Sequence, residues 1–433
     1  MGPIHNDVIN RFIYCLALLP VLAFADDPQS PVASLPTLQK ADDLWQPILP
    51  PTSADGADAL DQRVYSQFAN DELHLENEPG SSKPYAFVPH AALVSYYDDN
   101  VNLSHNNRQS DFAIAAEPGA AFGLGGFRTG EGNFLTADYT GRLTAYLKNS
   151  SSDSYEQFAT VQAQFVLAKW RFNTNFHLLD LNGGNIDSGN GGWHRIYDTA
   201  QVATYALSEK DSLELQGQNV IRDYQTGPGS VEWQGRGLYN YQLDPKLTLG
   251  GGFAGGVLKV EGSGGQTYEQ ALLRALYDPS EKLSFQGQGG LEMRQLPSGE
   301  NKAIPVLDLR CDYLPRAGTT LELTGYSKTY GSSDYGDQDY TAKGVGLSVA
   351  QEVGASWLVT LKGGYENNSY FDTNVRAPSP RQDNFCYINP SVQFRVSDHA
   401  KIELFYNYRQ NDSNNASRAF IDNQAGVRAT FTY

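Results

Sequence analysis

The sequence has little cysteine or methionine, three and two residues among 433, and only one long apolar run. That run lies near the N-terminus, and neither it nor any other reaches the roughly 18 residues that a membrane-spanning helix requires. The mean hydropathy is −0.45. These absences exclude a bundle of transmembrane helices. A β-barrel is not excluded, because half of each barrel strand faces a polar lumen.

Positive charge is also in short supply, with 32 Lys and Arg against 49 Asp and Glu and a net charge of −17. Nothing offsets the repulsion of phosphate, so we expect no nucleic-acid partner. What the chain has instead is 42 glycines, 26 tyrosines and 20 phenylalanines. Abundant aromatic residues and glycines with few charges are typical of β-structure that faces an apolar medium.

The first 25 residues predict a signal peptide. Arg11 ends a polar segment, an apolar run extends from Phe12 to Phe24, and Ala23-Phe24-Ala25 fits the small-residue cleavage pattern. We expect cleavage after Ala25 and export of the remainder of the chain.

Residues 26–84 are rich in proline and acidic residues, with eleven acidic and three basic side chains and a net charge of −8. This composition predicts a largely disordered periplasmic arm, which could dock a periplasmic partner. At about 60 residues the segment is too short for a folded plug of the kind that fills some barrels.

From residue 85 to residue 433 apolar and polar residues alternate in stretches of 10 to 15 residues. Leu283, Phe285 and Leu291 alternate with polar residues such as Gln286 and Glu292. A period of two predicts strands with two different faces. The alternation is poor in 86–97, 196–207 and 340–352.

The connections between these stretches alternate in length. Nine long connections rich in Gly, Asn, Ser and Asp are interleaved with eight short turns such as Asp244-Pro245-Lys246. Long external loops and short periplasmic turns are the pattern of outer-membrane barrels. The sequence thus predicts an all-β fold, a transmembrane antiparallel up-and-down β-barrel of about 18 strands, with 16 or 20 as alternatives. A soluble sandwich, propeller or solenoid fits less well, because the apolar face mixes Gly, Ala, Tyr and Leu.

The C-terminal residues Arg428-Ala429-Thr430-Phe431-Thr432-Tyr433 end on an aromatic residue, with apolar residues at alternate positions before it. This ending resembles the assembly signal of outer-membrane barrels. The resemblance implies recognition of the strand that ends at Tyr433 by a barrel-assembly machinery. The surrounding partners would be outer-membrane lipid and lipopolysaccharide.

The first predicted hairpin contains Tyr96-Tyr97-Asp98-Asp99-Asn100-Val101, then Asp111-Phe112-Ala113-Ile114 and Glu117-Pro118-Gly119. About 30 residues here are similar to the motif of the outer-membrane β-barrel porin type 2 family. The resemblance implies a barrel with a pore and brings no catalytic residues.

The polar strand faces predict a charged lumen, since a barrel of this width is too wide for side chains to fill. Such charges can select solutes, or simply pair across strands and hold the wall. The candidate pore-lining residues are Arg142, Glu214, Arg222, Arg236, Arg274, Glu292, Arg294, Arg310, Glu322, Lys362, Arg395, Glu403, Arg409, Asp422 and Arg428.

Catalysis is not expected, because no nucleophile motif accompanies any histidine of the mature chain. These histidines are scattered at His74, His90, His105, His177, His194 and His399. No cofactor is implied either.

Two smaller features of the sequence are a group of three aspartates and a pair of cysteines. Asp334, Asp337 and Asp339 offer oxygen ligands for a cation such as Ca²⁺, although acidic loops are commonly just solvated. Cys311 and Cys386 fall on lipid-facing positions four strands apart, which is too far for a disulfide. We predict two free thiols.

These features favour an outer-membrane porin-like channel for passive passage of small solutes or sugars. Two alternatives remain open at this point. One is a conduit or accessory barrel for an exported polysaccharide, and the other is a structural or adhesive barrel without conductance.

Overall fold

A closed antiparallel barrel of eighteen strands forms the described part of the chain. The computed structural model describes residues 84–184, 187, 191–334, 336, 338–373 and 380–433. Each strand pairs with its sequence neighbours, and the first strand also pairs with the last, His90 to Asp98 against Thr432 to Gln424. The predicted strand number and up-and-down topology are therefore confirmed. The predictions for residues 1–83 lie outside the described residues.

The strands are 13 to 16 residues long. In chain order they are β1 Tyr85–Asp98, β2 Asp111–Gly125, β3 Phe134–Tyr146, β4 Ser154–Leu167, β5 Trp170–Gly184, β6 Gly191–Ala206, β7 Asp211–Tyr224, β8 Ser230–Asp244, β9 Leu247–Val260, β10 Gly265–Ser280, β11 Leu283–Gln295, β12 Asn301–Arg316, β13 Thr319–Gly331, β14 Gln338–Val353, β15 Trp357–Asp372, β16 Gln382–Ser397, β17 Ala400–Ser413 and β18 Phe420–Thr432.

Long and short connections alternate around the barrel as predicted. The turn between β4 and β5 has only two residues, whereas the β1–β2 loop covers 99–110. One connection on the short-turn side differs, because 126–133 between β2 and β3 is longer than most external loops. Gln164 of β4 stabilises it by donating hydrogen bonds to the carbonyls of Gly130 and Gly132.

The outer face of the barrel is apolar. Leu273 and Phe253, near the middle of β10 and β9, are 75% and 74% exposed. Exposed large apolar side chains recur at alternate positions on the other strands, while the alternate positions between them point into the barrel. A closed barrel leaves no sheet edge unpaired, and this apolar surface is what lipid contact requires. The chain is an outer-membrane β-barrel. No helix among the described residues is long and apolar enough to span a membrane.

The first-hairpin motif closes the barrel at its external end. Asp98 accepts hydrogen bonds from the Asn100 backbone N–H at 2.7 Å and from Gln424 at 2.9 Å. The Asn100 side chain donates to the Ile421 carbonyl at 2.8 Å. The Asp99 carboxylate accepts two bonds from Asn423. These bonds join β1 to β18, so the motif residues act at the closing strand pair.

Gly119 of the same motif makes room for a side chain. A Cβ atom at this position would lie 2.2 Å from Cε1 of His90, its cross-strand partner on β1. A larger residue here would displace the His90 ring.

The two described cysteines are free, as predicted. Cys311 lies on β12 and Cys386 on β16. Both share the outward face with apolar residues.

Replacing Leu273 with Arg tests the placement of the apolar belt. A charge at the centre of the lipid face should lower the free energy of unfolding by about 2–4 kcal/mol, as measured by urea titration in lipid vesicles. Gln286→Arg, on the inner face of neighbouring β11, is the matched control and should cost far less. Equal destabilisation by the two substitutions would contradict the assignment of faces.

Candidate functional site

The lumen is the candidate site, and the fifteen predicted pore-lining residues all lie on inward-facing strand positions. Ten of them are buried. The other five are half-buried or exposed, and all five lie in the periplasmic halves of β12, β13, β15, β16 and β17: Arg310, Glu322, Lys362, Arg395 and Glu403. The lumen is therefore most accessible on this side of its periplasmic half. That the fifteen residues line a conducting path stays a prediction.

Ion pairs on one side of the lumen run across five strands. Glu117 of β2 pairs with Arg428 of β18 and lies 3.5 Å from Nε of Arg142 on β3. Arg142 is also 3.8 Å from Glu156 of β4. The charges of opposite sign alternate along this row, so they compensate one another inside the barrel.

A second group of charges lies on the facing wall. Glu214 of β7 accepts hydrogen bonds from Arg274 at 2.8 Å and from Arg236 at 3.0 Å. Gln288 of β11 accepts further bonds from both arginines. One carboxylate thus holds two guanidinium groups close to the wall.

The external end of the β13–β14 hairpin bends into the barrel. A Cβ atom added at Gly331 would lie 2.9 Å from Cγ2 of Val260 on β9. Asp339 accepts a hydrogen bond from Gln266 of β10 at 3.1 Å and lies 3.8 Å from Arg294 of β11. Contacts between strands this far apart in the sheet require the hairpin to cross part of the lumen.

A cluster of polar side chains joins the external loops above this hairpin. We call Asp187, Asp334, Tyr370, Arg381 and Arg418 the mouth cluster. Tyr370 donates a hydrogen bond to Asp187 at 2.6 Å, and Arg381 lies 3.3 Å from both Asp187 and Asp334. Arg418 pairs with Asp334 at 2.7 Å. The β5–β6, β13–β14, β15–β16 and β17–β18 connections therefore meet over the mouth.

The surroundings of the mouth cluster change its acid–base properties. Burial raises the pKa of Asp334 even though Arg418 and Arg381 lie beside it. Burial alone would lower the pKa of Arg381, but Tyr370 and Asp187 outweigh it and the pKa is raised. Arg381 thus stays charged, whereas acidification neutralises Asp334 at a higher pH than an ordinary aspartate.

A recess lies in the lumen wall between β7 and β13. Its lining includes five glutamines, Gln216, Gln218, Gln234, Gln270 and Gln288, together with Tyr326 and Tyr330 of the inward-bent hairpin strand β13. Arg236, Asp308 and Lys328 bring charges of both signs to the same surface. We call this the glutamine recess.

The other candidate groups do not form one site. Asp334 serves the mouth cluster and Asp339 contacts Gln266 and Arg294, while Asp337 lies outside the described residues. A cation bound to these three aspartates stays a prediction. Asp98, Asp99 and Asp422 do bring carboxylate oxygens within 4.8 Å of one another, at the β1–β18 closure.

The histidines are as dispersed as the sequence indicates. His90 lies 3.6 Å from Asp138, and His177 lies 3.3 Å from Thr160 on the inner wall. His194 stacks on Tyr224, and His399 sits in the turn before β17. His74 is outside the described residues.

Sequence reasoning missed the mouth cluster and the glutamine recess. Asp187, Arg381 and Arg418 belong to long polar loops, where a charged residue carries no distinguishing pattern. The glutamines gave a partial signal, because Gln216 with Gln218 and Gln286 with Gln288 recur at every second position. Nothing in the sequence indicated which strands would share a recess.

Comparisons with known proteins add no functional argument. No family model and no curated protein sequence matches the chain. Among solved structures, the outer-membrane protein OpdK of Pseudomonas aeruginosa is 11% identical, with 80% of this chain and 98% of that chain covered and a TM-score of 0.42. OccAB3 of Acinetobacter baumannii is 10% identical, with 80% and 99% covered and a TM-score of 0.41. The FrpB iron transporter of Neisseria meningitidis is 9% identical, with 83% of each chain covered and a TM-score of 0.47. At these scores the function has to be argued from the lumen itself.

Replacing Arg381 with Ala tests the mouth cluster. The change leaves Asp187, Asp334 and Asp383 without their shared cation, and breaking such a buried pair costs about 3–5 kcal/mol. We expect the external loops to loosen, which limited proteolysis of the protein in vesicles would detect as faster cleavage.

The matched control is Arg310→Ala, because Arg310 is paired with Asp312 and Glu322 in the open periplasmic half. It should leave cleavage of the external loops unchanged. Identical cleavage rates for Arg381→Ala and the unaltered protein would show that the cluster does not hold the loops.

Proposed function

We propose that the protein is an outer-membrane channel for passive passage of small polar solutes, sugars included. The observation that carries this proposal is the lumen of an eighteen-stranded barrel that is charged on its inner face and accessible in its periplasmic half. Eighteen strands enclose an interior too wide for wall side chains alone to fill.

The external mouth sets the size of what passes. The β13–β14 hairpin crosses part of the lumen, and the mouth cluster ties the loops above it. A narrowed mouth suits small solutes better than a polymer, so it disfavours a polysaccharide conduit. A path of this kind would select by size and by hydrogen bonding more than by net charge, because most of the buried lumen arginines lie beside carboxylates.

The partners follow from the same placement. We propose that lipid and lipopolysaccharide surround the apolar belt. We also propose that the barrel-assembly machinery recognises the strand ending at Tyr433. A periplasmic partner bound through residues 26–84 also remains a proposal.

Planar-bilayer recording of the purified protein tests the channel directly. We expect stepwise current increments in KCl with weak preference between cation and anion, because lumen charges of both signs are paired. A folded barrel, verified by heat-modifiable gel migration, that gives no current steps would refute the channel.

A disulfide between the hairpin and the wall tests its role at the mouth. Gly331→Cys with Val260→Cys should crosslink, because the Cβ position of residue 331 is 2.9 Å from the Val260 side chain. If hairpin motion widens the mouth, the oxidised pair should pass less current than the same protein after reduction. Gly331→Cys alone is the control and should not respond to reductant. A redox-insensitive current in a fully crosslinked sample would exclude the hairpin as the moving part.

A further inference from the structure

The glutamine recess carries hydrogen-bonding groups that suit a ligand, in addition to the groups that hold the barrel wall together. We propose that it binds an uncharged, hydroxyl-rich solute such as a short oligosaccharide. The inference rests on the proposed channel function, for which it names the class of solute.

The five glutamines come from neighbouring strands of one wall. Gln216 and Gln218 lie on β7, Gln234 on β8, Gln270 on β10 and Gln288 on β11. These four strands lie in one part of the wall, with β9 between β8 and β10, and their inward-facing glutamines line the same recess. Five primary amides on one continuous surface form a hydrogen-bonding patch without charge of its own.

Each amide is held at one end. The amide nitrogens of Gln218, Gln234 and Gln270 donate to Asp198, Tyr268 and Glu292, respectively. The amide oxygens of Gln216 and Gln288 accept from Arg236 instead. These bonds fix the orientation of the side chains, so a ligand would find them already arranged.

The opposite ends of the amides remain for a ligand. Over the described ranges, the amide oxygens of Gln218, Gln234 and Gln270 and the amide nitrogens of Gln216 and Gln288 have no hydrogen-bond partner. The recess therefore offers three acceptors and two donor groups. A sugar hydroxyl both donates and accepts, so a mixed set of this kind suits a polyhydroxylated solute.

The nearby charges do not favour an ion. Glu214 pairs with both Arg236 and Arg274, and Asp308 adds a second negative charge to the surface that includes Lys328. Tyr326 and Tyr330 bound the recess on the hairpin side. Aromatic side chains beside amides can pack on the apolar faces of sugar rings. Counting Asp198, which holds Gln218, three carboxylates lie beside three cationic groups, so the recess offers an anion or a cation little net attraction.

Single-channel recording with added maltotriose tests the proposal, with trigalacturonate as a charged probe of similar size. Maltotriose should interrupt the current reversibly, and trigalacturonate should do so at higher concentration only. The double variant Gln234→Leu with Gln270→Leu removes two hydrogen bonds, so maltotriose binding should weaken by about tenfold or more. The response to maltotriose is measured relative to the variant's own current in KCl.

Gln162→Leu is the matched control, since Gln162 lies on β4, outside the recess. It should leave the maltotriose response unchanged. Gln216→Glu supplies a second variant in case the double variant fails to fold. It keeps an oxygen to accept the bond from Arg236 but replaces the ligand-facing donor with an acceptor, so it should weaken maltotriose binding too.

The outcomes separate the two proposals. Absence of current from the unaltered protein would refute the channel. Current that maltotriose does not affect, or that it affects equally in the recess variants and in Gln162→Leu, would leave the channel intact and refute the binding site. In that case the glutamines only stiffen the wall.

Discussion

The structure depends on one constraint, which is that the backbone inside a lipid bilayer must form all its hydrogen bonds within the protein. A sheet meets it only by closing, and here β1 closes on β18 through paired residues from His90 to Asp98. Closure gives every strand one face toward lipid and one toward the lumen. The apolar belt around Leu273 and the charged interior around Glu214 are two results of the same ring.

Inside that ring, each charge needs a partner because the wall is poorly hydrated where side chains are buried. The alternating Arg428, Glu117, Arg142 and Glu156 row and the Glu214 group meet this need along the wall. Above them, the charged residues of the bent β13–β14 hairpin and of the mouth cluster are also paired, in this case across the lumen. The glutamine recess sits between the two, where anchored neutral amides take the place of free charges.

Much of the architecture could be predicted, because turn spacing and period-two alternation are local properties. In each of the three stretches with poor alternation, a structural feature of the strand accounts for the irregular pattern of apolar and polar residues. On β1 the inward positions are apolar too, since Val94 and Tyr96 pack against Phe405. On β6 the inward positions include the buried apolar residues Ile196, Ala200 and Val202. On β14 the inward Tyr340 and Ala342 are apolar and pack in a cluster with Tyr326. The site depends on which distant strands face each other, and a sequence pattern does not contain that information.

The pairing of β1 with β18 also has a consequence for how the barrel is made. The bond from Gln424 to Asp98 joins residues 326 positions apart, and every other strand pair lies between them in sequence. Until β18 is synthesised, the backbone N–H and C=O groups along one edge of β1 lack hydrogen-bond partners. A strand of another chain can then pair with this edge. Contacts of such sequence separation form slowly, because the chain loses much freedom before they stabilise it. Synthesis therefore has to finish before the ring can close, and the growing hairpins must be kept apart from one another and from other chains until then.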